Sequence, residues 1–270
     1  MQARSSGAGT AARLKVLTYN VHSCRGRGGR ADPLRIAEVI ASAEPDIIAL
    51  QELDVGRMRT GGVDQAHAIA GHLCVSAHFH AALHVEEERY GDAILTALPS
   101  RLVKAAQLPS LGEPRGALWV EVTAGTTRLQ IVNTHFGLSR RERMLQARTL
   151  AGPDWLGHPG CTAHPAILAG DFNAVPRSRA YGILAEGLSK PALAVPARAT
   201  FPARFPVLRL DHVFANARAR ILGYDVIDTP LARAASDHLP LLATVECGPS
   251  AATAAQDTIE HHPEEFAAYG

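Results

Sequence analysis

Residues 167–173 constrain this chain more than any other stretch, because the apolar run Ile167-Leu168-Ala169 ends abruptly in Gly170-Asp171-Phe172-Asn173. The run reads as a buried strand and the glycine as its turn. Side chains two apart on an extended segment point to the same side, so Asp171 and Asn173 can address one ligand from the carboxyl end of the strand. Taken alone, an Asp-x-Asn turn is more often backbone capping than chemistry. Three more apolar runs end the same way: residues 14–19 deliver Asn20, residues 46–50 deliver Gln51-Glu52, and residues 129–134 deliver His135. Near the end, Asp211 stands inside the strand pattern of residues 209–214, and Ser236-Asp237-His238 precedes the last apolar run, residues 241–245. Polar groups of the same few types at repeated strand ends point to one convergent site.

The ordered set resembles the endonuclease/exonuclease/phosphatase superfamily of metal-dependent phosphoesterases. Its landmarks are an Asn after the first strand, a Gln-Glu after the second, a Thr-His, a Gly-Asp-x-Asn, an Asp-bearing strand and a closing Ser-Asp-His. All occur here in that order between Asn20 and His238. Thr200-Phe201-Pro202 and Leu208-Arg209-Leu210-Asp211 look like patterns of small bacterial members of uncertain substrate.

The length of 270 residues allows one sizeable core, expected over 14–247 as a single domain, with disordered tails at 1–13 and 248–270. His261-His262 in the second tail reads as solvated polarity. Asp32 with Pro33 predicts a helix start, and Ser139 with Glu142 has capping-box spacing. Residues 176–186 hold another short helix, while residues 93–97 and 117–123 read as strands. Pattern alone supports an α/β or α+β domain. The resemblance implies the detail: a four-layer sandwich, two mixed β-sheets packed face to face with helices outside and the site at one edge.

Lys plus Arg total 27 against 26 Asp plus Glu, so the overall field offers no general attraction to a polyanion, and this argues against a tight or processive DNA binder. Arg25, Arg27 and Arg30, and Arg140, Arg141 and Arg143, read as solvated loop or helix faces. Cys24, Cys74, Cys161 and Cys247 lack the spacing of a zinc or redox motif and read as reduced thiols. No signal-peptide core or membrane-spanning run is present, so a cytoplasmic protein, monomeric in its expected state, follows.

A phosphodiester repels hydroxide, so its hydrolysis needs charge neutralisation, a positioned water and protonation of the leaving oxygen. Glu52, Asn20 and Asp237 are oxygen donors suited to Mg²⁺ or Mn²⁺. The resemblance implies Glu52 as the principal metal ligand with Asn20 and Asp237 nearby, and Asp171 as the group that polarises or deprotonates water. Asn173 then positions that water or a phosphoryl oxygen. Asp211 is the expected partner of His238, raising its pKa so that the ring stabilises the pentavalent phosphorus or passes a proton to the leaving oxygen. His135 is implied as the second phosphate-facing histidine; the remaining eleven or so read as surface or structural. Among these His212 follows Asp211, where stacking on substrate and packing are both open, packing being favoured. Arg115 and Arg209 are candidate phosphate contacts, which ordinary salt bridges explain equally well.

Relatives commonly have Gly-Asn-Ala where this chain has Gly91-Asp92-Ala93. An ionised Asp92 cannot donate and would repel a substrate phosphate unless a cation intervenes, which puts that contact in doubt or signals a second metal. The substrate implied is a phosphodiester, in nucleic acid or in a phospholipid-type headgroup. The competing reading is a catalytically silent binding or scaffold protein on the same fold, which predicts erosion of the ligand set.

Overall fold

The computed structural model of the chain describes residues 11–188 and 198–248, so most of both expected tails, His261-His262 included, lies outside the described residues. Among the described residues the strands are β1 (Ala12–Asn20), β2 (Ile47–Val55), β3 (Ser76–Val85), β4 (Glu88–Thr96), β5 (Ser100–Leu108), β6 (Arg115–Ala124), β7 (Thr127–His135), β8 (Ala166–Asp171), β9 (Asp211–Ala215), β10 (Ala219–Val226) and β11 (Leu241–Cys247). The helices are α1 (Pro33–Ala41), α2 (Gln65–Leu73), α3 (Arg140–Ala151), α4 (Pro159–Thr162), α5 (Arg179–Gly187) and α6 (Pro230–Ala235). One sheet has six strands in the order β10-β11-β1-β2-β4-β3, the other five in the order β5-β6-β7-β8-β9. Both are mixed: β1 runs parallel to β2 and β7 parallel to β8, the other pairs being antiparallel. A parallel pair needs a crossover, and α1 lies between β1 and β2 in the chain as α3 and α4 lie between β7 and β8.

Alternation along the strands sorts the core into layers. Val16, Ile47, Ala49, Ile131, Ile167 and Ala169 meet between the sheets. Their neighbours Leu17, Ile48 and Leu50 face outward, against Ile36, Ile40 and Ile69 of α1 and α2. Val132 and Leu168 likewise meet Ala147, Leu150 and Leu184 of α3 and α5 on the other outer face. The result is the four-layer sandwich of helices, sheet, sheet and helices.

Local starts obey local chemistry. Asp32 Oδ1 accepts from the Arg35 N–H at 3.1 Å ahead of Pro33, and Ser139 and Glu142 close a reciprocal capping box at 3.2 and 3.3 Å. Two boundaries are corrected. β1 begins at Ala12, ahead of residue 14, because antiparallel pairing carries it to Cys247. The helix expected from residue 176 starts at Arg179: Arg177 is left-handed at φ 74°, and Ser178 caps the helix by accepting from the Tyr181 N–H at 3.3 Å.

Register then fixes where the polar ends go. Asn20 stands beside Gln51 and His135 beside Asp171 in the two parallel pairs, and Asp211 opens β9 directly opposite Asp171. Ser236 Oγ donates to the Asn20 carbonyl at 2.8 Å, tying the turn that carries Asp237 and His238 onto the end of β1.

Candidate active site

Glu52 reaches the site through a bulge. The pairing of β2 with β4 slips between Leu50 and Leu53, and Glu52 sits there with φ 62°. A left-handed non-glycine residue costs about 1–2 kcal/mol, so the surroundings must hold it. Asn133, buried between the sheets, does so: its amide donates to the Leu50 and Ala93 carbonyls, both at 2.8 Å, and its oxygen accepts from Gln51 Nε2 at 2.8 Å. Asn133→Leu strips the Leu50 and Ala93 carbonyls of this donor and Gln51 of one of its acceptors, at about 1–3 kcal/mol for each carbonyl. A loss of roughly 4 kcal/mol in urea unfolding is expected; parent-like unfolding would show that the bulge does not depend on this amide.

Asn20 bridges the carboxylates. Its Oδ1 accepts from the His22 N–H at 3.0 Å, which fixes the amide so that Nδ2 donates to Glu52 Oε1 at 2.9 Å and Asp171 Oδ2 at 3.0 Å. One lone pair of that oxygen is thus taken by the backbone, and the amide holds Glu52 and Asp171 in place.

Asp171 is the meeting point. Its Oδ1 accepts from the Asn173 N–H at 2.9 Å, while Oδ2 lies 3.5 Å from His135 Nε2 and 3.6 Å from His238 Nε2. Burial pushes its pKa up, against the pull of charged His238. His238 Nδ1 meets Asp211 Oδ2 at 2.9 Å, and the same oxygen accepts from Thr200 Oγ1 at 2.5 Å. Burial works against a charged His238, yet the carboxylates of Asp211 and Asp171 outweigh it and raise the pKa to about 10.

His135 is the opposite case. Burial and then the Arg115 guanidinium push its pKa down to about 3, so the ring is neutral. Arg115 Nη1, which only donates, lies 3.0 Å from Nδ1, and the hydrogen therefore sits on Nε2. Asn173 Nδ2, oriented by a 2.9 Å bond to the Phe136 carbonyl, stands 3.2 Å from that Nε2. Two donors converge there, and an acceptor oxygen is what they fit.

His22, grouped with the surface or structural histidines on sequence grounds, is in the site. Its Nδ1 lies 3.6 Å from Glu52 Oε2 and 3.6 Å from Asp237 Oδ2, and its pKa is raised, chiefly by hydrogen bonding to Glu52 against burial. Two carboxylates that converge on one ring nitrogen and favour its charged form mark a place that a cation suits, so Glu52 and Asp237 fit a hard metal ion. Asp171, Asp211 and His238 also bring ligand atoms within 4.8 Å of one another and could hold an ion. The hydrogen bond of His238 to Asp211, with Asp171 3.6 Å from the other ring nitrogen, suits a proton path better. The signal for His22 was the one used for Asn173: it stands two residues beyond the strand-end Asn20.

Of these, His22, Glu52, His135, Asp171, Asn173, Asp237 and His238 line a cleft of about 360 Å³ together with Arg25, Arg59, Tyr90, Glu113 and Arg115. Two expected site residues, Asp92 and Arg209, fail to reach it, and His212 packs as favoured. Asp92 is buried opposite the bulge, where burial pushes its pKa up to about 8 despite Arg115 and a hydrogen bond from the Glu52 backbone. Asp92 accepts from the Glu52 backbone and so supports the bulge from behind, outside the lining of the cleft. Arg209 turns away, donating to His212 Nδ1 at 3.2 Å and lying 3.5 Å from the Tyr181 hydroxyl. His212 is packed: Nε2 meets the Ala174 carbonyl at 2.7 Å and the ring lies among Phe172, Tyr181 and Phe214. Arg140 and Arg141 are solvated as read, whereas Arg25 faces the cleft.

A two-sheet sandwich whose strand ends gather carboxylates, carboxamides and histidines around one cleft defines a class of protein, and residues 17–238 match the Endonuclease/Exonuclease/phosphatase family. The chain belongs to that family, whose members are phosphoester hydrolases. It is 26% identical over 247 residues to the uncharacterized protein YbhP of Escherichia coli strain K12, a match covering 86% of this chain and 96% of YbhP. In fold it is similar to the endonuclease/exonuclease/phosphatase of Beutenbergia cavernae, with TM-score 0.71, 22% identity and coverage of 87% of this chain and 72% of that one. It is also similar to a mannosyl-6-phosphatase of Bacteroides thetaiotaomicron, with TM-score 0.65, 19% identity and coverage of 86% and 99%. Among the described residues no helix is long and apolar enough to cross a membrane.

Proposed function

We propose that the protein is a divalent-metal-dependent phosphoesterase that hydrolyses a phosphodiester by direct attack of water, with residues 12–247 as one catalytic domain. The observation that carries the reading is Asp171: a single buried carboxylate held by Asn20 and Asn173 and facing one neutral and one charged histidine. Glu52 and Asp237 are the residues that would hold Mg²⁺ or Mn²⁺. When bound, such an ion supplies neutralisation of the phosphoryl charge. Asp171 takes the proton of the attacking water. His135 Nε2–H and Asn173 Nδ2 donate to phosphoryl oxygens as negative charge builds there. His238, kept charged by Asp211, stabilises the pentavalent phosphorus and supplies a proton to the leaving oxygen.

The charge balance of 27 against 26 and a cleft of about 360 Å³ favour a small phosphodiester over a long nucleic-acid track. No member of the expected set is eroded, which favours an enzyme over a scaffold. The test is hydrolysis of bis(p-nitrophenyl) phosphate with Mg²⁺, with Mn²⁺ and with EDTA. Metal-dependent release of p-nitrophenol, abolished by EDTA, is expected. Silence with both metals would overturn the proposal.

A further inference from the structure

One wall of the cleft carries cations that the hydrolytic step leaves unused. Arg59 follows β2 and gives Nε and Nη2 to the two oxygens of Asp54, each at 2.8 Å, and Nη2 also to Ser23 Oγ at 3.0 Å. Asp54 is fully buried and is further held by Thr60 Oγ1 at 3.1 Å, so this anchor cannot swing away. The guanidinium lies 5.5 Å from the Tyr90 ring centroid. Its side chain is nevertheless 43% exposed and lines the cleft, and among the described residues its Nη1 makes no hydrogen bond. A guanidinium fixed on two edges with a third turned to a cleft is preorganised for an anion, because little conformational entropy is left to lose.

Arg115 lines the same cleft, where Tyr90 acts electrostatically on both guanidinium groups, and its Nε is buried without a partner. Its Nη1 is 2.8 Å from Glu113 Oε1. Glu113 contrasts with Asp54: its side chain is 46% exposed, it too lines the cleft, and its charge acts on both Arg59 and Arg115. An internal carboxylate in that position marks where an anion belongs, and a phosphate with three acceptor oxygens serves two guanidinium groups better than one half-exposed carboxylate. The same Arg115 nitrogen is 3.0 Å from His135 Nδ1, so this place adjoins the one where the scissile phosphoryl group is held.

We propose that Arg59 and Arg115 form a second anion subsite that takes a phosphate of the substrate other than the one cleaved, and that Glu113 is the carboxylate this phosphate displaces. The inference rests on the phosphoesterase reading and narrows its substrate class to small phosphodiesters bearing a further phosphomonoester, of about nucleotide size.

Two esters that differ by one group test it: thymidine 5′-(p-nitrophenyl phosphate) and the same compound phosphorylated at the 3′ oxygen. With Mg²⁺ the parent is expected to favour the 3′-phosphorylated ester by tenfold or more in kcat/KM, the difference lying in KM. Arg59→Lys keeps a cation on Asp54 and so keeps the fold, but loses the fork, and should bring the ratio close to one. Glu113→Gln should raise the ratio by lowering KM for the phosphorylated ester. Equal kcat/KM for the two esters in the parent, or an unchanged ratio in folded Arg59→Lys, overturns the subsite. Turnover of bis(p-nitrophenyl) phosphate with none of either thymidine ester also overturns it and leaves the phosphoesterase reading standing. Silence on all three overturns both.

Discussion

Asp171→Asn is expected to lower kcat by about 10³-fold, the usual weight of a positioned general base, while the protein stays folded and still binds its metal. Elimination among the groups facing the cleft makes the case. His135 has its acceptor nitrogen occupied by Arg115 and carries a hydrogen on Nε2, so it cannot take a proton from water. His238 is already charged, with its pKa raised to about 10. Asp211 lies behind the cleft lining, with its Oδ2 engaged by both His238 and Thr200. Asp171 is what remains, and burial strengthens it as a base by lifting its pKa above the ordinary carboxylate range. The sign for pH follows. Only ionised Asp171 accepts a proton, so kcat/KM of the parent should rise with pH through that elevated pKa, and the variant should show no such rise. Parent-like turnover in Asp171→Asn, or the same acid limb in both proteins, sinks the role. The asparagine keeps the shape of the side chain and removes a buried charge, so a collapsed fold is not expected to confuse the result.

Much of this geometry was legible because strand ends carry it. An apolar run buried on both faces announces itself, and the polar residue that stops it is a site residue wherever register brings several stops together; Asn20, His135 and Asp171 are found that way. Bulges do not announce themselves. Nothing in the periodicity of residues 46–55 says that Glu52 turns left-handed, and the amide that holds it, Asn133, belongs to a strand distant in sequence. A polar Asn in the apolar run before His135 was the available sign. Asp92 misled for a different reason: its charge state depends on burial behind Glu52, which the order of residues does not encode. Arg209 misled because it precedes β9, where strand alternation no longer governs direction, and it turns toward His212 and Tyr181 instead. Arg59 was missed because it sits in the 3₁₀ turn Met58–Thr60, which aims side chains in ways that no period predicts, whereas His22, at φ 48°, stands two residues beyond Asn20, the spacing that finds Asn173.

Glu52→Gln is expected to weaken Mg²⁺ or Mn²⁺ binding by about 100-fold or more, since loss even of an outer partner of a metal ligand costs 10–100-fold. The carboxylate is poised for that role. Burial alone would favour its neutral form, but hydrogen bonds from His22 and Asn20 and the charge of nearby imidazole win, and its pKa lies well below the usual carboxylate range. Glutamine keeps the length and the oxygen that accepts from Asn20, and puts a neutral amide nitrogen where the charged Oε2 faced His22. The fold should lose nothing, because the strained φ of 62° at this position is unchanged and an ionised group has left a partly buried place. Titration with Mn²⁺ by calorimetry reads the affinity directly, and turnover against metal concentration reads its consequence. The two site variants then separate by rescue. Raising the metal concentration should restore much of the activity of Glu52→Gln, whose defect is occupancy, and none of that of Asp171→Asn, whose defect is proton transfer. A parent-like metal requirement in Glu52→Gln would move the cation site away from Glu52 and Asp237, and would leave the buried cluster of Asp171, Asp211 and His238 as the place to look for it.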